Sequence, residues 1–111
     1  MAKTIAKYEP VFIIAYGEEN AKTVLKEIGT DHKNKVTIIK TIPNDDIWIR
    51  DSGAIFRKGK NGGLDMIGLN FNGWGNKQKH KKDEKVAKEM ANYLGYNFTL
   101  ADIVGEGGGI E

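Results

Sequence analysis

"PVFIIAYGEENAKTVLKEIGTDHKNKVTIIKTI" (residues 10–42) is the stretch that decides the fold. Pro10–Tyr16 is short, β-branched and aromatic, and reads as a buried strand. In "GEENAKTVLKEIG", Ala21, Val24, Leu25 and Ile28 fall at i, i+3, i+4 and i+7, one face of a helix with acids in its first turn. Gly29 supplies a C-terminal stop. After a polar turn, Lys35–Ile42 is a second apolar strand. Strand, amphipathic helix and strand in this order form a β-α-β unit, which cannot finish its own sheet alone.

The order then returns. "AIFRKG" and "LDMIGLNF" predict a hairpin around "KNGG", whose Asn-Gly favours a tight turn. In "DEKVAKEMANYLG", Val86, Met90 and Leu94 are spaced by four, and the segment closes on Gly95. "NFTLADIV" is a further strand, and "GEGGGIE" follows it. The expectation is an α/β chain of two successive modules, 1–51 and 52–111, forming one partial domain whose acidic loops face a common axis. The alternative is a single small α/β sandwich in which the repeat is coincidental.

Bulk properties narrow the function. The 111 residues suffice for one domain, and 40% hydrophobic with 29% charged residues is ordinary for a globular protein. A net charge of +2 does not by itself imply nucleic acid or a membrane. The absence of cysteine excludes disulfides, thiolate zinc sites and a thiol nucleophile within these residues. No stretch has the length of a membrane span and no signal-peptide core is visible, so the expected location is the cytoplasm.

Between the modules lies "NDDIWIRDSG" (Asn44–Gly53). Its flat indole beside carboxylates suits a planar cation, since a carboxylate accepts a guanidinium fork and an indole stacks on it. In extended geometry Trp48 and Arg50 share one face and Asp51 the other, with Arg50 pairing Asp46 or Asp51. The competing reading is a structural ion pair with Trp48 in the core. "FNGWGNK" (Phe71–Lys77) reads as a structural loop in which Gly73 and Gly75 permit positive φ. "KQKHKKDEK" (Lys77–Lys85) lacks interleaved aromatics and reads as a solvated loop entering a helix, not a nucleic-acid patch. Glycines around Glu106 allow close approach of other groups, and no phosphate-loop lysine accompanies them. The alternative for that segment is a free end. His32 and His80 sit among lysines and do not look like general bases, and no metal-ligand constellation is visible.

"NDDIWIRDSGAIF", "LNFNGWGNK" and "GEGGGIE", in that order, resemble the agmatine deiminase family of guanidino-group-modifying enzymes, a group that includes peptidyl-arginine deiminases. The resemblance implies a pentein-type α/β propeller of five ββαβ modules, of which this chain is about two and is incomplete alone. It implies hydrolysis of agmatine to N-carbamoylputrescine and ammonia, in polyamine (putrescine) biosynthesis. A cysteine thiolate, a histidine acid/base and guanidinium-binding carboxylates do the chemistry, without a metal or organic cofactor. By this resemblance Asp51 grips the guanidinium, Trp48 lines the pocket wall, Asp46 and Arg50 support the substrate-binding motif, and Glu106 is the catalytic glutamate that engages the guanidinium or assists the histidine. The family's cysteine and histidine have no counterpart here, and Ala54 stands where the family usually has proline. The chain therefore reads as an N-terminal fragment, inactive alone, whose partner is a small guanidine, with neither nucleic acid nor membrane. A homo-oligomer or a complementing C-terminal chain would complete it. The rival reading is a non-catalytic binding or oligomerisation module derived from the fold.

Overall fold

The computed structural model describes residues 1–110, so Glu111, the last residue of the glycine-rich stretch, lies outside the described residues. The chain divides into two compact units, one of residues 1–43 and one from Asn44 onward. The acidic motif 44–51 thus travels with the second unit, whereas the sequence reading put the boundary after Asp51.

In the first unit a short helix α1 (Ala2–Ile5) precedes strand β1 (Val11–Ile14), helix α2 (Glu18–Ile28) and strand β2 (Val36–Ile39). β1 and β2 pair in parallel, from Val11 opposite Val36 to Ile14 opposite Ile39, with α2 as the crossover. Glycines bound the helix, Gly17 before it and Gly29 after it, both at positive φ. The Gly29 N–H returns to the Leu25 carbonyl. Ala21 is buried, but Leu25 on the same predicted face remains 48% exposed, so this apolar stripe is only partly covered.

The second unit contains α3 (Ile49–Ser52), β3 (Ile55–Lys58), β4 (Leu64–Leu69), a tight turn α4 (Gly73–Asn76), α5 (Asp83–Leu94), β5 (Phe98–Ala101) and a 3-10 turn at Gly107–Gly109. β3 and β4 form the expected antiparallel hairpin, and β5 lies parallel to β4 after the α5 crossover, giving sheet order β3-β4-β5. Met66 of β4 with Val86, Ala87 and Ala91 of α5 make the buried core. A side chain at Gly68 would meet the Phe98 ring at 2.7 Å and Ala87 at 3.3 Å, so glycine here lets α5 and β5 close on the sheet. The end of α5 is a Schellman motif: the N–H of Tyr96 bonds the Ala91 carbonyl, that of Gly95 bonds Asn92, and Gly95 is left-handed.

The acidic motif departs from its predicted extended form. Ile49–Ser52 is one helical turn, in which the N–H groups of Asp51 and Ser52 donate to the Trp48 carbonyl and that of Gly53 donates to Ile49. A Cβ at Gly53 would lie 2.4 Å from the Ile49 carbonyl oxygen, so only glycine lets the chain leave this turn. Strand alternation therefore does not govern which faces Trp48, Arg50 and Asp51 present.

Candidate functional site

Asp51 is the best-fixed of the predicted site residues. Its Oδ2 accepts a hydrogen bond from the indole Nε1–H of Trp74 at 3.1 Å, and its Oδ1 accepts one from the backbone N–H of Gly108 at 3.0 Å. All three signature stretches thus meet at one carboxylate, through neutral donors. Close approach demands glycine on the facing segment: a Cβ at Gly108 would lie 2.1 Å from Asp51 Oδ1, and one at Gly107 would lie 2.4 Å from the Arg50 carbonyl oxygen.

The Trp74 donor comes from unusual backbone. Gly73, Trp74, Gly75 and Asn76 all have positive φ, a left-handed turn. Left-handed backbone costs roughly 1–2 kcal/mol for a residue bearing a Cβ, less for Asn. Offsetting contacts hold it: Asn72 Oδ1 accepts from the Gly75 N–H at 2.8 Å, and the Trp74 ring packs edge-on against Phe71 with centroids 5.0 Å apart. Positive φ at Gly73 and Gly75 follows the sequence reading; the left-handed Trp74 and its reach to Asp51 do not. The available signal is that glycine or asparagine occupies every position flanking Trp74 from 72 to 76.

The other candidates are placed as follows. Arg50 pairs with neither Asp46 nor Asp51; its Nη2 donates to the Ile110 carbonyl at 3.3 Å, strapping the helical turn to the glycine-rich segment. Asp46 turns its Oδ1 back to the Ile47 N–H at 2.6 Å. Trp48 caps the turn and is 60% exposed, so its ring is not in the core. Glu106 is half-buried and extended, directly before Gly107–Gly109, and among the described residues its carboxylate has no hydrogen bond or ion pair. The structure thus brings Arg50, Asp51 and the segment after Glu106 together.

A residue that sequence reasoning left in a solvated loop holds this motif from behind. Asp83, 1% exposed at the start of α5, accepts from the backbone N–H of Asp45 at 2.7 Å and of Asp46 at 3.3 Å. Asp45 reciprocates through its Oδ2, which takes the Lys82 N–H at 2.9 Å. These crossed carboxylates satisfy backbone donors at the helix entry and fix the start of "DDIWIRD".

A pocket of the second unit, lined by Ser52, Gly68, Phe71 and Ala87 among others, has a cavity volume of about 10 Å³. That holds no more than a water molecule, and Asp51 is not among the residues that line it. A larger groove of about 290 Å³, lined by Leu25, Ile28, His32 and Lys33 among others, belongs to the first unit and contains none of the candidate residues. Among the described residues no His/Cys/Asp/Glu group has the makings of a metal site, and no helix is long and apolar enough to cross a membrane.

This α/β arrangement recurs in solved deiminases. A substrate-bound agmatine deiminase of C. jejuni superposes with a TM-score of 0.82 at 30% identity, over 98% of this chain and 31% of that one. The agmatine deiminase of Enterococcus faecalis shares the fold, with a TM-score of 0.83 at 22% identity over 96% of this chain and 29% of its own. The agmatine deiminase of Stutzerimonas stutzeri is 31% identical over 97 residues, which is 81% of this chain and 24% of that protein. The chain therefore spans from about a quarter to under a third of the length of these relatives. Residues 1–111 match the family model of the Porphyromonas-type peptidyl-arginine deiminases. The chain belongs to that family.

Proposed function

We propose that this chain supplies the guanidinium-anchoring wall of a deiminase site, with agmatine as the substrate. The observation that carries the reading is Asp51: a half-exposed carboxylate, oriented by Trp74 and Gly108, with no cationic partner among the described residues. Each oxygen retains an acceptor position, so a planar guanidinium can dock as a fork. Trp48, exposed at the same turn, is available to stack on the cation's plane. Glu106 carries the second negative charge and faces the guanidinium or the acid/base group. Asp46 and Arg50 hold the motif's backbone rather than the ligand.

In the reaction a thiolate attacks the guanidinium carbon, ammonia leaves, and water releases N-carbamoylputrescine. Asp51 and Glu106 hold the cation in position for that attack and stabilise its positive charge. This chain contains no cysteine, so the thiolate comes from outside these 111 residues. The two units would then be part of a five-module propeller, with the remaining modules closing the open wall into a pocket.

The test is a titration of the chain with agmatine, followed by calorimetry and by the Trp74 indole N–H resonance, with putrescine as the control lacking a guanidinium. Saturable binding that moves the indole signal, is much weaker for putrescine and is lost in Asp51→Asn is expected. Equal binding of the two amines, insensitive to Asp51→Asn, would refute the reading.

A further inference from the structure

Resting on the reading of Asp51 as the anchor, we propose that His80 is a positioning residue for it: its imidazole locks the left-handed Gly73–Asn76 turn that aims the Trp74 N–H at the Asp51 carboxylate. Two observations converge. His80 Nε2 lies 3.0 Å from Asn76 Oδ1, joining the last residue of the turn to the segment that enters α5. At the turn's other end, a Cβ on Gly73 would meet His80 Cδ2 at 2.7 Å and His80 Cβ at 3.1 Å, so the imidazole occupies the space a side chain at Gly73 would need. The ring thereby touches both ends of the turn, and Trp74 lies between them.

Strain gives the contact its role. Trp74 and Asn76 have φ of 56° and 61°, where side chains are disfavoured, and such backbone persists only when its surroundings over-determine it. The hydrogen bond needs one nitrogen only. With Asn76 presenting its oxygen, Nε2 carries the proton. Nδ1 is buried without a hydrogen-bond partner among the described residues and lies 3.5 Å from Glu84 Oε2. The two nitrogens thus do different things: Nε2 bonds the turn through Asn76, while Nδ1 faces Glu84.

That asymmetry defines the experiment. Glutamine at position 80 can place its amide nitrogen where Nε2 stands; asparagine places its amide nitrogen near Nδ1. His80→Ala, His80→Asn and His80→Gln are compared with the wild-type chain by the Trp74 indole ¹H–¹⁵N resonance, with far-ultraviolet ellipticity as the check on folding. Expected is loss of the hydrogen-bonded indole shift in His80→Ala and His80→Asn and its retention in His80→Gln. Should His80→Ala fail to fold, the asparagine and glutamine variants decide. An indole resonance unchanged in folded His80→Asn, or lost equally in His80→Gln, would overturn the proposal. The resonance is read without ligand, so the result stands whether or not agmatine binds. If the wild-type chain binds agmatine, affinity should fall about tenfold in His80→Asn and be restored in His80→Gln.

Discussion

Gly108→Ala is the sharpest perturbation of the hydrogen bonds that hold Asp51. Gly108 is not at positive φ, so alanine is tolerated by the backbone itself, and the obstacle is one atom: the new Cβ would sit 2.1 Å from Asp51 Oδ1. That is more than an ångström inside ordinary contact, and no rotation of a methyl group relieves it. Either the glycine-rich turn retreats or the Asp51 carboxylate swings away, and both break the Gly108 N–H bond at 3.0 Å and misalign the Trp74 bond at 3.1 Å. Hydrogen bonds to a charged group contribute about 1.5–3 kcal/mol each when well buried. Asp51 is half-exposed, so the low end applies, and we expect a total loss of about 2 kcal/mol on this basis. The control is the same substitution in an Asp51→Ala background, where the oxygen is gone and the Cβ has room. Urea denaturation followed by ellipticity should show the Gly108→Ala cost largely vanish there, leaving a coupling energy above about 1 kcal/mol. An equal cost in both backgrounds would refute the argument, because the clash would then not be with Asp51.

Three further predictions address the frame. Gly95→Ala forces a Cβ onto left-handed backbone at φ 75° and should destabilise the chain by about 1 kcal/mol in the same denaturation assay. Asp83→Asn keeps the shape but removes the charge that receives two backbone N–H groups; a loss of about 1–3 kcal/mol is expected, together with altered amide shifts at Asp45 and Asp46. Across the hairpin, Arg57 Nε and Nη2 grip Asp65 at 2.9 and 2.5 Å, and this hydrogen bonding, ahead of simple charge attraction, holds the Asp65 carboxyl below its ordinary range. A depressed carboxyl stabilises above its unfolded-state value and loses that contribution as pH falls through the folded one. The denaturation midpoint of Asp65→Asn should therefore lie below wild type near neutrality and converge with it in acid.

Where one periodicity controlled a segment, the sequence was legible. The two amphipathic helices, their glycine stops at Gly29 and Gly95, the hairpin and the parallel strands all follow from local pattern, although the strands are shorter than their apolar runs. The acidic motif was misread as geometry. Its helical turn depends on Gly53 passing within reach of the Ile49 carbonyl, a contact without any periodic signature. The role of Asp83 was hidden for a different reason: a carboxylate among lysines reads as solvated, yet its partners are backbone N–H groups 37 and 38 positions away. Trp74 was hidden twice, by its left-handed backbone and by its distance in sequence from Asp51.

Under the proposed anchoring role of Asp51, the choice of donors gives this awkward backbone a purpose. A carboxylate that is to receive a cation must be held in one orientation while keeping its charge. Lysine or arginine would orient it and neutralise it together, as Arg57 does to Asp65, and as Lys79, 3.8 Å from Asp45, does more loosely. Neutral donors, here N–H groups, orient it without putting a positive charge in the ligand's place. A backbone amide reaches a carboxylate side chain closely where the approaching residue has no Cβ, which accounts for Gly108. An indole supplies the other neutral donor and no acceptor of its own, so it cannot turn around and bond the incoming guanidinium instead. Asp83 is also held by neutral donors, but it is buried at a helix entry and closed to solvent. Asp51 has no cationic partner among the described residues and is partly exposed, and the left-handed turn brings an indole to it.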